Sequence, residues 1–212
     1  MKNHIIFILI VLAFVACTED EDKIMTPSVT YPETNLNVSF FTDGSVPAPQ
    51  IEWNGNQGSF SLDSNIAGLA INSTTGQVSY TKLLPPGDQN FSVIASNSAG
   101  QISIPFTINN PFSGFFEGTY STSGYFAFDF SEDGTVAVAA NSSTNPDRGT
   151  GTYIFNGDEL IANYTYGNES SGYSIKVTLS QSNADARLTG SWYFAYDAPP
   201  AEEGGTVSLT FQ

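Results

Sequence analysis

Tyr125-Phe126-Ala127-Phe128-Asp129-Phe130, then Ser131-Glu132-Asp133-Gly134, then Thr135-Val136-Ala137-Val138, decides the fold of this chain. Successive side chains of a strand point to opposite faces, so Phe126, Phe128 and Phe130 share one face and Asp129 takes the other. Ser-Glu-Asp-Gly is turn chemistry, because Ser and Asp bond their own backbone and Gly tolerates positive φ. Val136 and Val138 then return on the Phe face. Downstream, Asn156-Gly157 predicts a two-residue hairpin joining 151–155 to 159–166. Tyr173, Ile175, Val177 and Leu179 alternate with Ser174, Lys176 and Thr178. Leu188, Trp192 and Phe194 alternate with Arg187, Thr189, Ser191 and Tyr193, and Val207, Leu209 and Phe211 with Thr206, Ser208 and Thr210. With 118–121 added, eight strands follow one another through mainly short connections, and such a meander removes its edges by closing.

Upstream the chain is also β. No long stretch keeps a helical period, and short alternating runs recur between Gly, Asn, Asp and Pro clusters. Asn109-Asn110-Pro111 marks a break, and the composition changes there. Aromatic residues number 18 of 101 after it, in 112–212, against 8 of 85 in 27–111. Before the break, strands are predicted at 29–31, 36–41, 50–53, 59–62, 69–72, 77–81, 90–95 and 101–108, a spacing that suits an aligned sandwich. The fold expected is all-β: an Ig-like β-sandwich over 27–110, followed by an eight-stranded antiparallel barrel over 111–212, with a second sandwich as the alternative.

Two resemblances sharpen this. Gly68-Leu69-Ala70-Ile71-Asn72-Ser73-Thr74-Thr75-Gly76-Gln77-Val78-Ser79 and Asn90-Phe91-Ser92-Val93-Ile94-Ala95-Ser96-Asn97-Ser98-Ala99-Gly100 resemble the core of bacterial Ig-like and cadherin-like repeats. Tyr80 stands where that family often has glycine, and the clustered acids of a cadherin calcium site are missing. The resemblance implies a spacer or adhesive module. Phe116-Glu117-Gly118-Thr119-Tyr120, Asp133-Gly134-Thr135-Val136, Gly151-Thr152-Tyr153 and Leu188-Thr189-Gly190-Ser191-Trp192 are similar to small lipocalin-like domains of Bacteroidota lipoproteins.

The N-terminus reads as an address. Lys2 precedes an apolar run from Ile5 to Val15, too short to span a bilayer but suited to an export signal. Phe14-Val15-Ala16-Cys17 resembles the lipobox of bacterial lipoproteins, which implies a signal peptide over 1–16 and lipid attachment at Cys17. Residues 17–26 then form an acidic tether, whose Thr-Glu-Asp-Glu-Asp resembles the surface-export signal of Bacteroidota lipoproteins. The expected location is the outer membrane, facing the cell exterior, with the periplasmic face as the alternative. The membrane is thus the first expected partner.

Composition narrows the chemistry. The 212 residues hold 21 Asp+Glu against 6 Lys+Arg, one His and one Cys, for a net charge of −15. If His4 leaves with the signal and Cys17 carries lipid, as the lipobox resemblance implies, no histidine or free thiol remains for triad catalysis, histidine-ligated zinc or redox work. The acid excess disfavours nucleic acid. No metal site, cofactor or catalytic residue is expected, so the chain reads as a non-enzyme. The surviving enzyme mechanism is a carboxylate pair for glycoside hydrolysis, with Glu117, Asp129, Asp158 and Glu159 as candidates. The better lead is a binding module for glycan, small ligand or partner protein, because aromatic rings pack on apolar ligand faces. The candidates are Tyr164, Tyr166 and Tyr173 around 167–172, and Trp192, Tyr193 and Tyr196 before Asp197-Ala198-Pro199-Pro200. An eight-stranded barrel either fills with side chains, the bland expectation, or admits one small ligand at its mouth.

Overall fold

The hairpin at Phe126–Val138 is the seed of a closed barrel. The computed structural model describes residues 25–167 and 171–212. The expected signal peptide 1–16, the expected lipid site Cys17, most of the expected acidic tether and Asn168-Glu169-Ser170 lie outside the described residues. The barrel strands are β10 (Gly114–Tyr120), β11 (Gly124–Phe130), β12 (Thr135–Ala140), β13 (Asp147–Asn156), β14 (Glu159–Tyr166), β15 (Tyr173–Gln181), β16 (Ala186–Tyr193) and β17 (Glu203–Phe211). Each pairs antiparallel with the next, and β17 pairs back onto β10 to close the ring. The Asn156-Gly157 signal is displaced by one residue. Asn156 pairs with Glu159, so the two-residue loop is Gly157-Asp158, with Gly157 at φ 70°.

The alternation sets the polarity of the wall. Phe126, Phe128, Phe130, Val136, Val138, Ile175, Val177, Leu188 and Leu209 are buried inside. Thr150, Thr152, Lys176, Thr178, Arg187, Thr189 and Ser208 are exposed outside. A barrel that crosses a membrane has the reverse polarity.

The preceding segment forms three sheets around a separate core. Its strands are β1 (Ser28–Thr30), β2 (Asn35–Asn37), β3 (Gly44–Val46), β4 (Gln50–Glu52), β5 (Ser59–Leu62), β6 (Leu69–Ile71), β7 (Val78–Tyr80), β8 (Gly87–Asn97) and β9 (Gly100–Asn110). They make a pair β1-β4, a four-stranded sheet β2-β9-β8-β5 and a three-stranded sheet β3-β7-β6. Strand β2 joins β9 in parallel, which makes this unit a crossover fold rather than a meander. Val46, Phe60, Val78, Val93, Phe106 and Ile108 fill its centre. The Asn72–Gly76 turn forms as its residues dictate: Asn72 Oδ1 accepts from the backbone N–H of Thr74 and Thr75, each at 3.0 Å.

One predicted strand, 36–41, stops early at Asn37. Phe41 adopts a left-handed φ of 58°, a strained conformation for an aromatic residue. Phe40 and Phe41 thereby leave the first core and pack into the barrel's. The Phe40 ring lies 4.9 Å from Phe112 and 5.7 Å from Phe211, and Phe41 lies 5.3 Å from Phe211. Lys82 Nζ sits 5.0 Å over the Phe41 ring, and Gln181 Nε2 donates to Lys82 O at 2.7 Å. Asn110 Nδ2 donates to Leu84 O and Pro85 O. The floor of the barrel, where β10 begins and β17 ends, is completed by two side chains of the first unit.

Candidate functional site: the aromatic mouth of the barrel

Along the barrel axis the inward rings change type. At the floor they are mainly phenylalanine: Phe112, Phe116, Phe128, Phe130, Phe155 and Phe211. Toward the other end Tyr120, Tyr164, Tyr166, Tyr173 and Trp192 take over. Phenylalanine suits a dry floor, whereas Tyr and Trp pair an apolar body with a polar handle for a wet opening. Tyr153 is the tyrosine near the floor, and its hydroxyl meets Phe112 O at 2.6 Å.

The Tyr and Trp end encloses a cavity of ≈ 740 Å³ open to solvent. This volume lies in the range of sites for small organic ligands. Four predicted candidates line it together, Tyr164, Tyr166, Tyr173 and Trp192. Their rings form a continuous wall: Tyr164 stacks on Tyr173 with centroids 5.9 Å apart, and Tyr166 meets Tyr173 at 5.3 Å. Tyr120 meets Trp192 edge-on at 5.8 Å, and Phe194 caps Trp192 at 4.5 Å. The interior is therefore filled at the floor and hollow at the mouth, where the bland expectation had it filled throughout.

Two predicted candidates stand apart. Tyr193, read in the sequence as an exposed aromatic, is buried, and the segment after it folds back, with Phe194 N donating to Glu202 O. Tyr196 is exposed but outside the cavity, with its ring over Gly172. The folded-back segment is held by polar ties from the barrel's outer face. Buried Ser174 donates to Ala195 O at 2.6 Å and accepts from Ala198 N at 3.0 Å. Asn163 and Asp197 bond reciprocally, at 2.7 and 2.9 Å. Asp197 and Ala198 both adopt positive φ, 62° and 48°, strain that these ties sustain. Ser174→Ala is expected to leave both backbone groups without a partner, a local cost of about 1–3 kcal/mol. Amide exchange at Ala198 should then quicken by ten-fold or more, and unchanged protection would contradict the role of this tie.

Sequence reasoning missed Tyr120, Phe126, Asn141 and Asp147, all in the cavity wall. Tyr120 Oη donates to Asn141 Oδ1, and Asn141 Nδ2 donates to Asp147 Oδ2, so one hydrogen-bonded chain borders the mouth. The usable signal was the strand-end position of Tyr120 and Asp147, one step beyond the clean alternation. Arg148 also reaches the cavity, at its rim. Of the carboxylate candidates, Glu159 is tied to Lys176 at 2.9 Å, Asp158 sits in the hairpin loop and Asp129 is exposed on the outer wall. Glu117 pairs with Ala127 two residues from Asp129 and is likewise away from the cavity wall. Among the described residues no three His, Cys, Asp or Glu side chains gather into a metal site.

Burial favours the neutral form of two cavity tyrosines. It raises the Tyr164 and Tyr166 hydroxyls well above the usual tyrosine range, and the two are hydrogen-bonded to each other. Burial pushes Tyr31 and Tyr153 up to about 12 as well. A raised pKa means the folded chain keeps a proton that the unfolded chain loses, so stability falls as pH rises between about 10 and 12. Absorbance at 295 nm is expected to show these four tyrosines ionising only with loss of ellipticity, after the exposed ones. Full ionisation of all 10 tyrosines with the β signal intact would contradict this.

No family model matches this chain, and no curated protein matches it. Among solved structures it is similar to a Quinonprotein alcohol dehydrogenase-like protein from Bacteroides thetaiotaomicron, at 10% identity and a TM-score of 0.33, over 88% of this chain and 63% of that one. It is also similar to a DUF4784 family protein from Bacteroides caccae, at 10% identity and a TM-score of 0.23, over 88% of this chain and 70% of that one. The chain thus spans less than two thirds of the length of the first of these.

Proposed function

We propose that this protein is a lipid-anchored outer-membrane lipoprotein whose barrel is a non-catalytic binding module for a small organic ligand. The observation that carries the reading is the ≈ 740 Å³ cavity walled by Tyr120, Tyr164, Tyr166, Tyr173 and Trp192. A cavity of this size favours a small molecule or the end of a glycan over a protein surface. The lipobox-like Phe14–Cys17 stretch and the acidic run after it support the anchor and the outward-facing leaflet.

The layout suits such a role. Near its first described residues the chain is tied to the far end of the first unit: Asn97 Nδ2 donates to Met25 O at 2.7 Å. Strand β9 then carries the chain about 33 Å toward the barrel, at about 3.3 Å per residue. The barrel floor faces the first unit and the mouth opens at the opposite end. A lipid at Cys17 would hold the protein by one end and leave the cavity facing away from the membrane.

Thermal-shift screening of small molecules and glycan fragments tests this. Ligands are expected to raise the Tm of the native protein and to lose their effect in Ala140→Trp, which fills the cavity. An absence of ligands, or ligands indifferent to Ala140→Trp, would overturn the reading. Cys17→Ser should release the protein from the membrane fraction, and retention there would overturn the anchor.

A further inference from the structure

The charges at the mouth say more about the ligand than its volume does. Asp147 pairs across the sheet with Ala140, a buried inward residue, so its side chain belongs to the interior face. Arg148 pairs with Ala139 and therefore starts from the outer face, reaching the rim from outside. Asp147 uses Oδ2 to accept from Asn141, and neither of the ion pairs among the described residues involves it. Its carboxylate is thus held in place by an amide and forms no ion pair within 4.0 Å among the described residues.

The surrounding field has the same sign. Residues 111–212 carry 12 acidic and 3 basic side chains, a net charge of −9. Two of those three cations are already tied, Lys176 to Glu159 and Arg187 to Asp185. A mouth in such a field concentrates cations and repels anions. The rings of Tyr120, Trp192, Tyr166 and Phe194 line the same cavity as Asp147. Aromatic faces attract ammonium groups, above all where water is displaced. Trp192 offers its ring rather than its N–H, since Nε1 is buried against Gly205.

Resting on the small-ligand reading above, we infer that the barrel mouth selects organic cations: ligands whose ammonium group lies between the Asp147 carboxylate and the aromatic wall. An anion would meet repulsion. A neutral molecule of the same shape would gain the apolar contacts but not the charge term.

The chain's two tryptophans make the test direct, since Trp192 lines the cavity and Trp53 belongs to the first unit. In a Trp53→Phe protein, emission reports the cavity alone. Three probes are compared: phenyltrimethylammonium, its neutral isostere tert-butylbenzene, and benzenesulfonate. The cation is expected to perturb Trp192 and bind about ten-fold tighter than the isostere, with benzenesulfonate weakest. Asp147→Asn should lower the cation's affinity about five-fold or more, and 1 M NaCl should weaken it too. Equal binding of cation and isostere would overturn cation selection while leaving the cavity reading standing. Tightest binding by benzenesulfonate would overturn it in favour of Arg148. A Trp192 signal unmoved by all three probes at millimolar concentration would overturn both. The comparison among probes needs no variant at Asp147, so a folding defect there leaves the outcome decisive.

Discussion

Phe40→Ala is expected to cost about 3–5 kcal/mol and to separate unfolding into two transitions. The residue belongs by sequence to the first unit, yet its ring is buried among Phe112, Phe116 and Phe211 of the barrel. Truncation leaves a cavity in the barrel floor and removes the main apolar tie between the two cores. Each core carries its own reporter, Trp53 in the first and Trp192 in the second. In the native protein the two emissions should change together with denaturant. In Phe40→Ala the Trp192 transition should move to lower denaturant while Trp53 moves less. A barrel transition unaffected by Phe40→Ala would contradict the assignment of this ring to the barrel floor.

Gly151→Ala is expected to cost about 3 kcal/mol or more. Gly151 faces inward on β13, opposite Val136 on one side and Tyr164 on the other. A Cβ there would lie 1.9 Å from Asn163 O and 2.7 Å from the Tyr164 Cα. Both are backbone atoms of the neighbouring strand and cannot swing aside. The strands would have to part beside Tyr164, and the cavity wall with them. Thr150→Ala, one residue away on the exposed outer face, should stay within about 0.5 kcal/mol and serves as the control. Equal Tm values for the two variants would contradict the close approach of β13 and β14.

The barrel was legible because its strands alternate cleanly. Phe126, Phe128 and Phe130 against Asp129 admit one reading, and a single register slip would turn all three to water. Phe40 and Phe41 were not legible. Two apolar residues at the end of an alternating run look like more strand, and only the left-handed turn at Phe41 aims them elsewhere. That turn is sustained by the barrel floor, a partner some 70 residues later in the chain, so nothing local announces it. Strand β3, which the sequence reading did not include, and the parallel β2–β9 pairing share one cause, three-residue strands whose pattern carries little information.

The site was half legible for a related reason. Tyr164, Tyr166 and Tyr173 follow the inward alternation of β14 and β15 to their ends, and Trp192 does the same on β16. Tyr193 defeated the reading because the irregularity between Trp192 and Tyr193 breaks the alternation where β16 ends, and the segment after it is drawn back to Ser174. The gradient from phenylalanine at the floor to tyrosine at the mouth lay in the sequence from the start. Its meaning depended on knowing which strand ends meet, and that is set by the closure of β17 onto β10.

On the function proposed above, the Tyr-rich end of the barrel is a pocket for a small molecule. The most direct measurement is a crystal structure of the protein grown with the tightest-binding compound from the thermal-shift screen. The compound is expected within the cavity, against the rings of Tyr120, Tyr164, Tyr173 and Trp192, with the floor at Phe40 and Phe116 unchanged. A compound seated on the outer wall or on the first unit, with the cavity holding only water, would contradict it.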